Sequence, residues 1–167
     1  MSLRFPQSNK GRRGFSLPEL MIVVVMIGIL TMIAVPKFRI YRDRSNVNAV
    51  RARVEGMIAA ARSSAIHKGR NSVFSSGPTG MGVWTQNPTT LVWQQQVTWH
   101  DFSSTYPNVQ LQVGGAGWWA IWYEPRGLTW ASSRPPSTIV IRVVGATKSD
   151  SICVTRLGQI LPRGCTL

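Results

Sequence analysis

The sequence predicts an α+β fold in which one long N-terminal helix precedes a β-rich head. Two observations support this prediction. Apolar residues first form an uninterrupted run and then recur at spacings of three and four, which is the pattern of a helix. Beyond Asn71 the apolar period changes to two and turn residues become frequent, which is typical of strands. We therefore divide the chain into the ranges 1–14, 15–36, 37–70 and 71–167.

Range 15–36 is apolar enough to form a membrane-spanning half of the helix. No charged residue occurs from Leu20 to Val35, a length near the lower limit for crossing a bilayer at about 1.5 Å rise per residue. Glu19 stands at the start of this run, where a carboxylate beside hydrocarbon costs roughly 2.5 kcal/mol or more and usually has a partner. Pro36 follows the run and predicts a kink or a short unwound stretch.

Range 37–70 continues the helix as an amphipathic half that ends near Lys68. Gly69 is the predicted C-cap, because glycine readily adopts the left-handed conformation that ends many helices. Basic residues occupy the other faces, and a single apolar stripe is expected to pack against the head. The stripe consists of Val47, Val50, Val54, Met57, Ile58, Ala61 and Ala65.

The head, 71–167, is expected to contain about seven short strands separated by turns. Val109–Val113 alternates between apolar and polar residues, and β-branched or aromatic residues are concentrated in three further segments. The seven tryptophans of the chain all lie in the head, and we expect core and inter-sheet packing to account for most of them. The three further segments are Leu91–Trp93, Trp118–Tyr123 and Thr138–Val144.

The N-terminal junction differs from an ordinary secretory signal in the order of its regions. A secretory signal has its cleavage site after the apolar region, whereas here the basic leader and the candidate cleavage point Gly14/Phe15 precede it. Gly14, Phe15 and Glu19, followed by the apolar run and Pro36, resemble the class III signal of type IV pilins and type II secretion pseudopilins. The resemblance implies that a prepilin peptidase removes residues 1–14 after Gly14 and methylates the new N-terminal Phe15.

The same resemblance assigns Glu19 and Pro36 to assembly. In that family the helices of neighbouring subunits form a bundle, where Glu19 meets the N-terminal amine of an adjacent subunit. A carboxylate and an ammonium attract strongly at low dielectric, so this pair acts as a register pin. The expected partners are therefore other pilins or pseudopilins, prepilin peptidase and the inner membrane.

Two head segments resemble the GspH/FimT group of minor pilins, which includes FimU-like proteins. Tyr123–Leu128, followed by a polar loop and Ile139–Arg142, is similar to that group's F-x-P-x-G hairpin. Ile152–Ile160 is similar to its closing hairpin. The resemblance implies a pilin-like fold, in which the long helix packs on two small antiparallel sheets. It also implies a single-pass protein of the bacterial inner membrane, with its head in the periplasm or in a surface pilus.

Cys153 and Cys165 are the two cysteines of the chain. In an oxidising periplasm two thiols this close in sequence are expected to form a disulfide, with two buried free thiols as the alternative. His67 and His100 do not lie at ligand spacing from them, so no metal site is predicted.

No catalytic constellation and no cofactor site is predicted, so we do not expect an enzyme. The chain has 6 acidic residues and no paired-carboxylate motif among them. Because the chain has 19 basic residues, we consider DNA as a further, less favoured partner. The FimT branch carries Gly-Arg-x-Arg in its closing hairpin, where this chain has Gln159 and Leu161. Arg156 and Arg163 flank that turn and are the candidates for replacing the charge.

Three functions follow, in order of preference. The first is a minor pilin that acts as an assembly or priming subunit, or as a tip subunit, of a type IV pilus. The second is a GspH-type minor pseudopilin of a type II secretion system, and neighbouring genes would distinguish it from the first. The third is a DNA-binding tip pilin, similar to FimT, that takes up DNA in natural transformation.

Overall fold

The computed structural model describes residues 15–113, 117–131, 138–161 and 165. Within these residues the chain forms one α-helix and nine β-strands, where the sequence predicts about seven strands. Helix α1 spans Leu17–Lys68, as predicted. The strands are β1 (Ser72–Ser76), β2 (Gly80–Gln86), β3 (Trp93–Asp101), β4 (Gln110–Val113), β5 (Trp119–Tyr123), β6 (Thr129–Ala131), β7 (Thr138–Val144), β8 (Ser149–Thr155) and β9 (Ile160–Leu161).

The strands form the two small antiparallel sheets that the sequence predicts. The five-stranded sheet has the order β3-β2-β1-β5-β6, and the four-stranded sheet has the order β4-β7-β8-β9. The closing hairpin is present, because β8 pairs with β9. The F-x-P-x-G segment also forms a hairpin, but its second strand is β6. The predicted second segment, Ile139–Arg142, lies in β7 of the other sheet. The chain divides into two compact units between Arg39 and Ile40, so the amphipathic half of α1 and both sheets belong to the second unit.

The predicted apolar stripe of α1 is buried at every position. The core of the second unit also includes Phe74, Val83 and Ile121 of the five-stranded sheet, and Ile141 and Ile152 of the four-stranded sheet. Each such side chain stabilises the fold by about 1.5–3 kcal/mol relative to exposure. The stripe therefore supplies one wall of the core, and its buried members are Val47, Val50, Val54, Met57, Ile58, Ala61 and Ala65.

The C-terminus of α1 has the predicted glycine cap. Gly69 has φ 62°, and its N–H donates to the carbonyl of Ile66 at 3.3 Å while that of Arg70 donates to the carbonyl of Ala65 at 3.0 Å. These two bonds form a Schellman motif. At Pro36 the helix is continuous, which excludes the unwound alternative. Proline removes a single main-chain donor, and helical conformation is kept on both sides of it.

The prediction that most tryptophans lie in the core is wrong for the side chains that the structure describes. Trp119 packs against the core, whereas the others lie partly or largely exposed on the outer side of the five-stranded sheet. Their places follow from strand alternation, because the flanking residues Val83, Ile121 and Tyr123 point inward and are buried. We name this outer surface the tryptophan face, and it comprises Trp84, Trp93, Trp99, Trp118 and Trp122.

The prediction of a strand at Leu91–Trp93 is also wrong at its first two residues. Strand β3 begins at Trp93, and Leu91 has φ 56°. The Asn87 side chain accepts hydrogen bonds from the backbone N–H groups of Thr89 (2.9 Å) and Thr90 (3.2 Å). An asparagine that bonds its own following backbone in this way stabilises a turn, so the β-branched composition of the segment is overridden locally.

Candidate functional site

The first half of α1 exposes an apolar surface on all sides. Leu20, Val24 and Ile27 are 58%, 59% and 55% exposed, and every residue from Phe15 to Arg42 is classed with them as exposed. Among the described residues α1 is the one helix whose length and apolar composition suffice for a membrane span, with a mean hydropathy of 2.4 over its most apolar window. Such a surface is unfavourable in water, so lipid or other helices must cover it.

Glu19 lies in the first turn of α1, at the start of this apolar surface. A carboxylate in a first helical turn is favoured by the helix dipole and by the unpaired N–H groups there. Phe15 lies just before the helix and is 77% exposed. Gly14 and the rest of the leader lie outside the described residues, so cleavage after Gly14 stays a prediction.

The turns of the two motif hairpins are both built on glycine. In the β5–β6 turn, Gly127 has φ 76°, and its N–H donates to the carbonyl of Glu124 at 2.8 Å. In the β8–β9 turn, Gly158 has φ 71°, and its N–H donates to the carbonyl of Thr155 at 2.9 Å. Positive φ is strained for residues with a side chain, so each motif glycine is explained by its backbone conformation.

These two turns contact each other and the helix. The N–H of Thr129 donates to the carbonyl of Arg156 at 2.8 Å, and Arg62 Nε donates to the carbonyl of Gly127 at 3.3 Å. A Cβ added at Gly158 would lie 2.4 Å from the Gly127 carbonyl oxygen. The two motif segments, which lie far apart in sequence, therefore form one junction that ties both sheets to α1.

Tyr123 lies beneath this junction, at the first position of the F-x-P-x-G pattern. Its side chain is fully buried, and its hydroxyl has no hydrogen-bond partner among the described residues. Burial raises the pKa of this phenol well above its ordinary value, which the positive charge of Arg62 offsets in part. A buried hydroxyl without a partner costs stability, so the tyrosine is less favourable here than the phenylalanine of the motif.

A polar seam joins α1 to the β7–β8 hairpin. The Asp43 carboxylate accepts hydrogen bonds from the Thr147 hydroxyl (2.6 Å) and the N–H groups of Thr147 (2.7 Å) and Ala146 (3.2 Å). The Thr147 hydroxyl makes the largest contribution to lowering the pKa of Asp43 below its ordinary value. Gly145 lies at the same place, and a Cβ there would lie 2.5 Å from Val47 Cγ2.

Arg51 extends the seam further along the helix. Its guanidinium contacts Glu55 at 2.9 Å on the next turn and Asp150 of β8 at 2.8 Å. The hydrogen bond with Glu55, followed by that with Asp150, raises the pKa of Arg51. Lys148 Nζ donates to Asn48 Oδ1 at 2.8 Å beside it. The seam thus fixes the four-stranded sheet on the polar flank of the same helix whose apolar stripe enters the core.

The predicted disulfide joins strand β8 of the closing hairpin to Cys165, which lies beyond β9. Cys153 and Cys165 are bonded, with 5.6 Å between their Cα atoms, which confirms the pairing and excludes the free-thiol alternative. Arg156 is exposed at the β8–β9 turn, as is Gln159. Arg163 lies outside the described residues, so the predicted DNA-binding pair of Arg156 and Arg163 stays a prediction.

Comparison with known proteins begins at the N-terminus. Residues 9–35 match the family model described as the prokaryotic N-terminal methylation motif. A fimbrial protein of Pseudomonas aeruginosa is 44% identical over 69 residues, which are 41% of this chain and 44% of that protein. The type IV major pilin protein PilA of Myxococcus xanthus is 38% identical over 74 residues, 44% of this chain and 34% of that protein. The chain thus matches less than half the length of these relatives.

The fold is similar to that of a solved structure. The crystal structure of the type IV minor pilin FimU of Pseudomonas aeruginosa superposes with a TM-score of 0.55 at 12% identity, over 74% of this chain and 92% of that one. This chain is type IV pilin-like. The motif, the homologous type IV pilins and the shared fold confirm the resemblance that the junction residues indicated.

Sequence patterns did not indicate several structural features of this pilin-like head. Asp43 and Thr147 are 104 positions apart, and an isolated aspartate in a basic helix gives no signal of a distant turn. Gly145 is one glycine among 15 in the chain, and only the packed structure shows that Val47 excludes a side chain there. The glycine-rich sequence of β2 was the available signal for the tryptophan face, because glycine in a strand marks a close approach.

Proposed function

We propose that this chain is a minor pilin, a structural subunit of a type IV pilus that joins other pilins and is processed by prepilin peptidase. The observation that carries the proposal is the fully exposed apolar half of α1, which follows directly on the methylation motif and has one carboxylate, Glu19, at its start. A helix with this surface stabilises an assembly by burying it against like helices or lipid.

Glu19 supplies the specificity that a uniformly apolar surface lacks. Apolar helices can slide along one another with little change in buried area, whereas an ion pair at low dielectric is strongly distance-dependent. After cleavage at Gly14, the amine of Phe15 on a neighbouring subunit is the counter-charge for Glu19. A subunit out of register leaves this charge unpaired in apolar surroundings, which costs several kcal/mol.

The likeness to the solved minor pilin FimU supports the choice of a minor pilin in this proposal. The similar proteins include a type IV major pilin, but the residues that match it make up 44% of this chain. The likeness to the minor pilin FimU extends over 74% of it and so takes in much of the head. The head is held to α1 by the core, the polar seam and the hairpin junction, which makes it a rigid body for contacts with neighbouring heads.

DNA binding by the head is the second candidate function, and the exposure of Arg156 favours it. This residue and the exposed Leu157 stand at the tip of the closing turn, where a duplex backbone can reach them. Gln159 and Leu161 occupy the positions where the FimT motif has arginines. Replacing Arg156 and Arg163 by alanine should flatten the salt dependence of any DNA binding by roughly one to two units. Gel shifts at two salt concentrations test this.

Processing and assembly test the primary proposal. Mass spectrometry of the membrane-bound protein should find Phe15 methylated at its N-terminus and residues 1–14 removed. Glu19→Ala should insert in the membrane, because removing a charge eases insertion, but should lose co-purification with other pilins and piliation. Glu124→Ala, an exposed acid in the head, is the matched control and should assemble normally.

Two results would contradict the proposal. An intact leader in the wild-type membrane form removes the basis for assembly through a free N-terminal amine. Normal piliation in the Glu19→Ala strain removes the register pin. A strain that keeps its pili but loses type II secretion when this chain is deleted identifies the GspH-type alternative instead.

A further inference from the structure

The tryptophan face has an extended strip of touching indole rings. Trp118 stacks on Trp99 with ring centroids 5.5 Å apart and an interplanar angle of 21°, and Trp99 contacts Trp84 at 6.1 Å. Trp93 and Trp122 form a second, edge-on contact at 5.1 Å. Trp118 is 69% exposed, so the strip ends in a ring that is open to solvent. None of these rings is used by the core or by the proposed pilin assembly.

Glycines beneath the strip leave room for its rings to lie against the sheet. A Cβ added at Gly80 would lie 2.6 Å from the Trp99 ring, and one at Gly82 would lie 2.6 Å from the Trp84 ring. At Gly77 the added atom would meet the Trp118 ring at 3.2 Å. The missing side chains let the indoles lie directly on the backbone. The Trp99 and Trp118 rings are 21° from parallel, and Trp84 is inclined by 42° to Trp99. These rings are already in place, so little entropy is lost when a ligand stacks on them.

The polar groups of this face are neutral amides. Gln95 is the register partner of Trp84, and Gln86 is the register partner of Trp93. The Gln95 side chain is exposed and has no hydrogen bond to another described residue. The Gln86 amide is engaged, because it accepts from Asn71 Nδ2 and donates to the Leu91 carbonyl, both at 3.4 Å. An amide supplies both donors and an acceptor, so Gln95 is the glutamine beside a ring that is able to bind a hydroxyl in either sense.

Positive charge is absent from the strands that carry the face. Strands β1, β2, β3 and β5 contain no lysine or arginine, although the chain has 19 such residues and a net charge of +13. A surface that grips nucleic acid or anionic lipid needs cations. The charge distribution therefore excludes polyanions as the favoured ligands and leaves an uncharged ligand.

We propose that the tryptophan face binds a neutral polysaccharide with extended, equatorially linked sugar rings. The C–H faces of such sugars are flat and apolar and match indole rings, while their hydroxyl edges match the amide of Gln95. A row of three rings suits several consecutive sugars of a ribbon-like chain better than one monosaccharide. This inference does not rest on the pilin proposal, because it uses only the outer surface of the five-stranded sheet.

A protein subunit is the less favoured occupant. Protein hot spots are pockets that surround a buried aromatic or arginine anchor. On this face the terminal ring, Trp118, is 69% exposed and does not sit in such a pocket, and the strip is bordered by amides.

Binding of defined oligosaccharides by the full-length chain tests the proposal. The protein is purified in a zwitterionic detergent without a sugar headgroup, because such a headgroup would compete for the rings. Cellohexaose and chitohexaose are titrated while tryptophan fluorescence is recorded, and maltohexaose serves as the coiled, α-linked comparison. We expect saturable binding of at least one β-linked hexasaccharide, and binding about tenfold or more weaker in Trp118→Ala.

Matched variants keep the test independent of folding. Trp118 is largely exposed, so its replacement should leave the thermal unfolding midpoint unchanged, and Trp118→Tyr should recover part of the affinity because it restores an aromatic ring. Leu157→Ala is the control, since Leu157 is an exposed apolar side chain (58%) in the closing turn, and it should bind like the wild type.

Several outcomes overturn the proposal. Failure of wild-type protein to bind either β-linked hexasaccharide does so, as does equal binding by Trp118→Ala and wild type. Binding of an oligothymidine that depends on Trp118, without oligosaccharide binding, assigns the face to nucleic acid. Loss of co-purifying pilins in Trp118→Ala, again without oligosaccharide binding, assigns it to a protein interface.

Discussion

The two halves of α1 contain similar apolar residues but differ in whether those residues are buried. Ile27 in the first half is 55% exposed, whereas Ile58 in the second half is fully buried. In the first half apolar side chains surround the helix, and in the second they form one stripe between charged faces. The stripe of the second half is buried by the chain's own sheets. A uniformly apolar surface has to be covered by lipid or by other helices.

The largest effect that we predict is at Gly14, the candidate cleavage position that precedes the exposed half of α1. Gly14→Leu should leave residues 1–14 attached, because the cleavage site is expected to require the small residue there. The apolar half of α1 would then reach the membrane without a free Phe15 amine, and incorporation into pili should be abolished. Mass spectrometry of the membrane fraction and counting of pili measure this, with Gly56→Ala in the amphipathic half of α1 as the control, because an added Cβ there meets no atom within 4 Å. Processed Gly14→Leu protein would contradict the predicted cleavage requirement.

A matched pair of isoleucine substitutions tests directly whether the two halves of α1 contribute differently to the stability of the head. Ile58→Ala should destabilise the head by about 2–5 kcal/mol, because it removes buried atoms and leaves a cavity. Ile27→Ala should change head stability by less than about 0.5 kcal/mol. Denaturant titration of both variants in micelles, followed by near-ultraviolet circular dichroism, gives the two values. Equal losses would show that the two halves of the helix do not differ as described.

A smaller effect of opposite sign is expected at Tyr123. Tyr123→Phe removes a buried hydroxyl without a described partner and should stabilise the head by about 1 kcal/mol. The control is Tyr41→Phe, because Tyr41 is 71% exposed and its hydroxyl can reach water. Thermal unfolding measures both changes. A loss of stability in Tyr123→Phe would mean that the hydroxyl has a partner in the folded protein.

The smallest effect concerns the pH dependence of the polar seam. The folded pKa of Asp43 is lowered below 3.8, chiefly by the Thr147 hydroxyl. Its contribution is therefore present above pH about 4 and is lost as pH falls through the folded pKa. Because the carboxylate is solvent-screened, this contribution should stay below about 1 kcal/mol. The stability difference between wild type and Asp43→Asn should narrow as pH falls from 6 to 3, whereas a pH-independent difference would contradict this account.

Local patterns predicted the helix and its faces well. The bounds of α1, all seven stripe positions and the cap at Gly69 are as predicted, because helix periodicity and glycine capping depend on residues close in sequence. The two motif turns were also found, since each depends on a glycine at positive φ. The second segment predicted for the first hairpin, Ile139–Arg142, was wrong, because strand pairing is not local. Predictions at Leu91 and for the tryptophans failed, because β propensity and aromatic content do not specify which turn or which sheet face a residue takes.

The sequence by itself determined that a long apolar helix accompanies an N-terminal methylation motif, that the second half of this helix has one buried stripe, and that antiparallel strands follow it. These properties depend on short-range order along the chain. Only the tertiary structure decided that Asp43 binds the turn at Thr147, that Gly127 and Gly158 meet, and that the tryptophans form an outer platform. The physical reason is that these contacts join residues far apart in sequence, and their energy depends on how two sheets and a helix pack rather than on any local pattern.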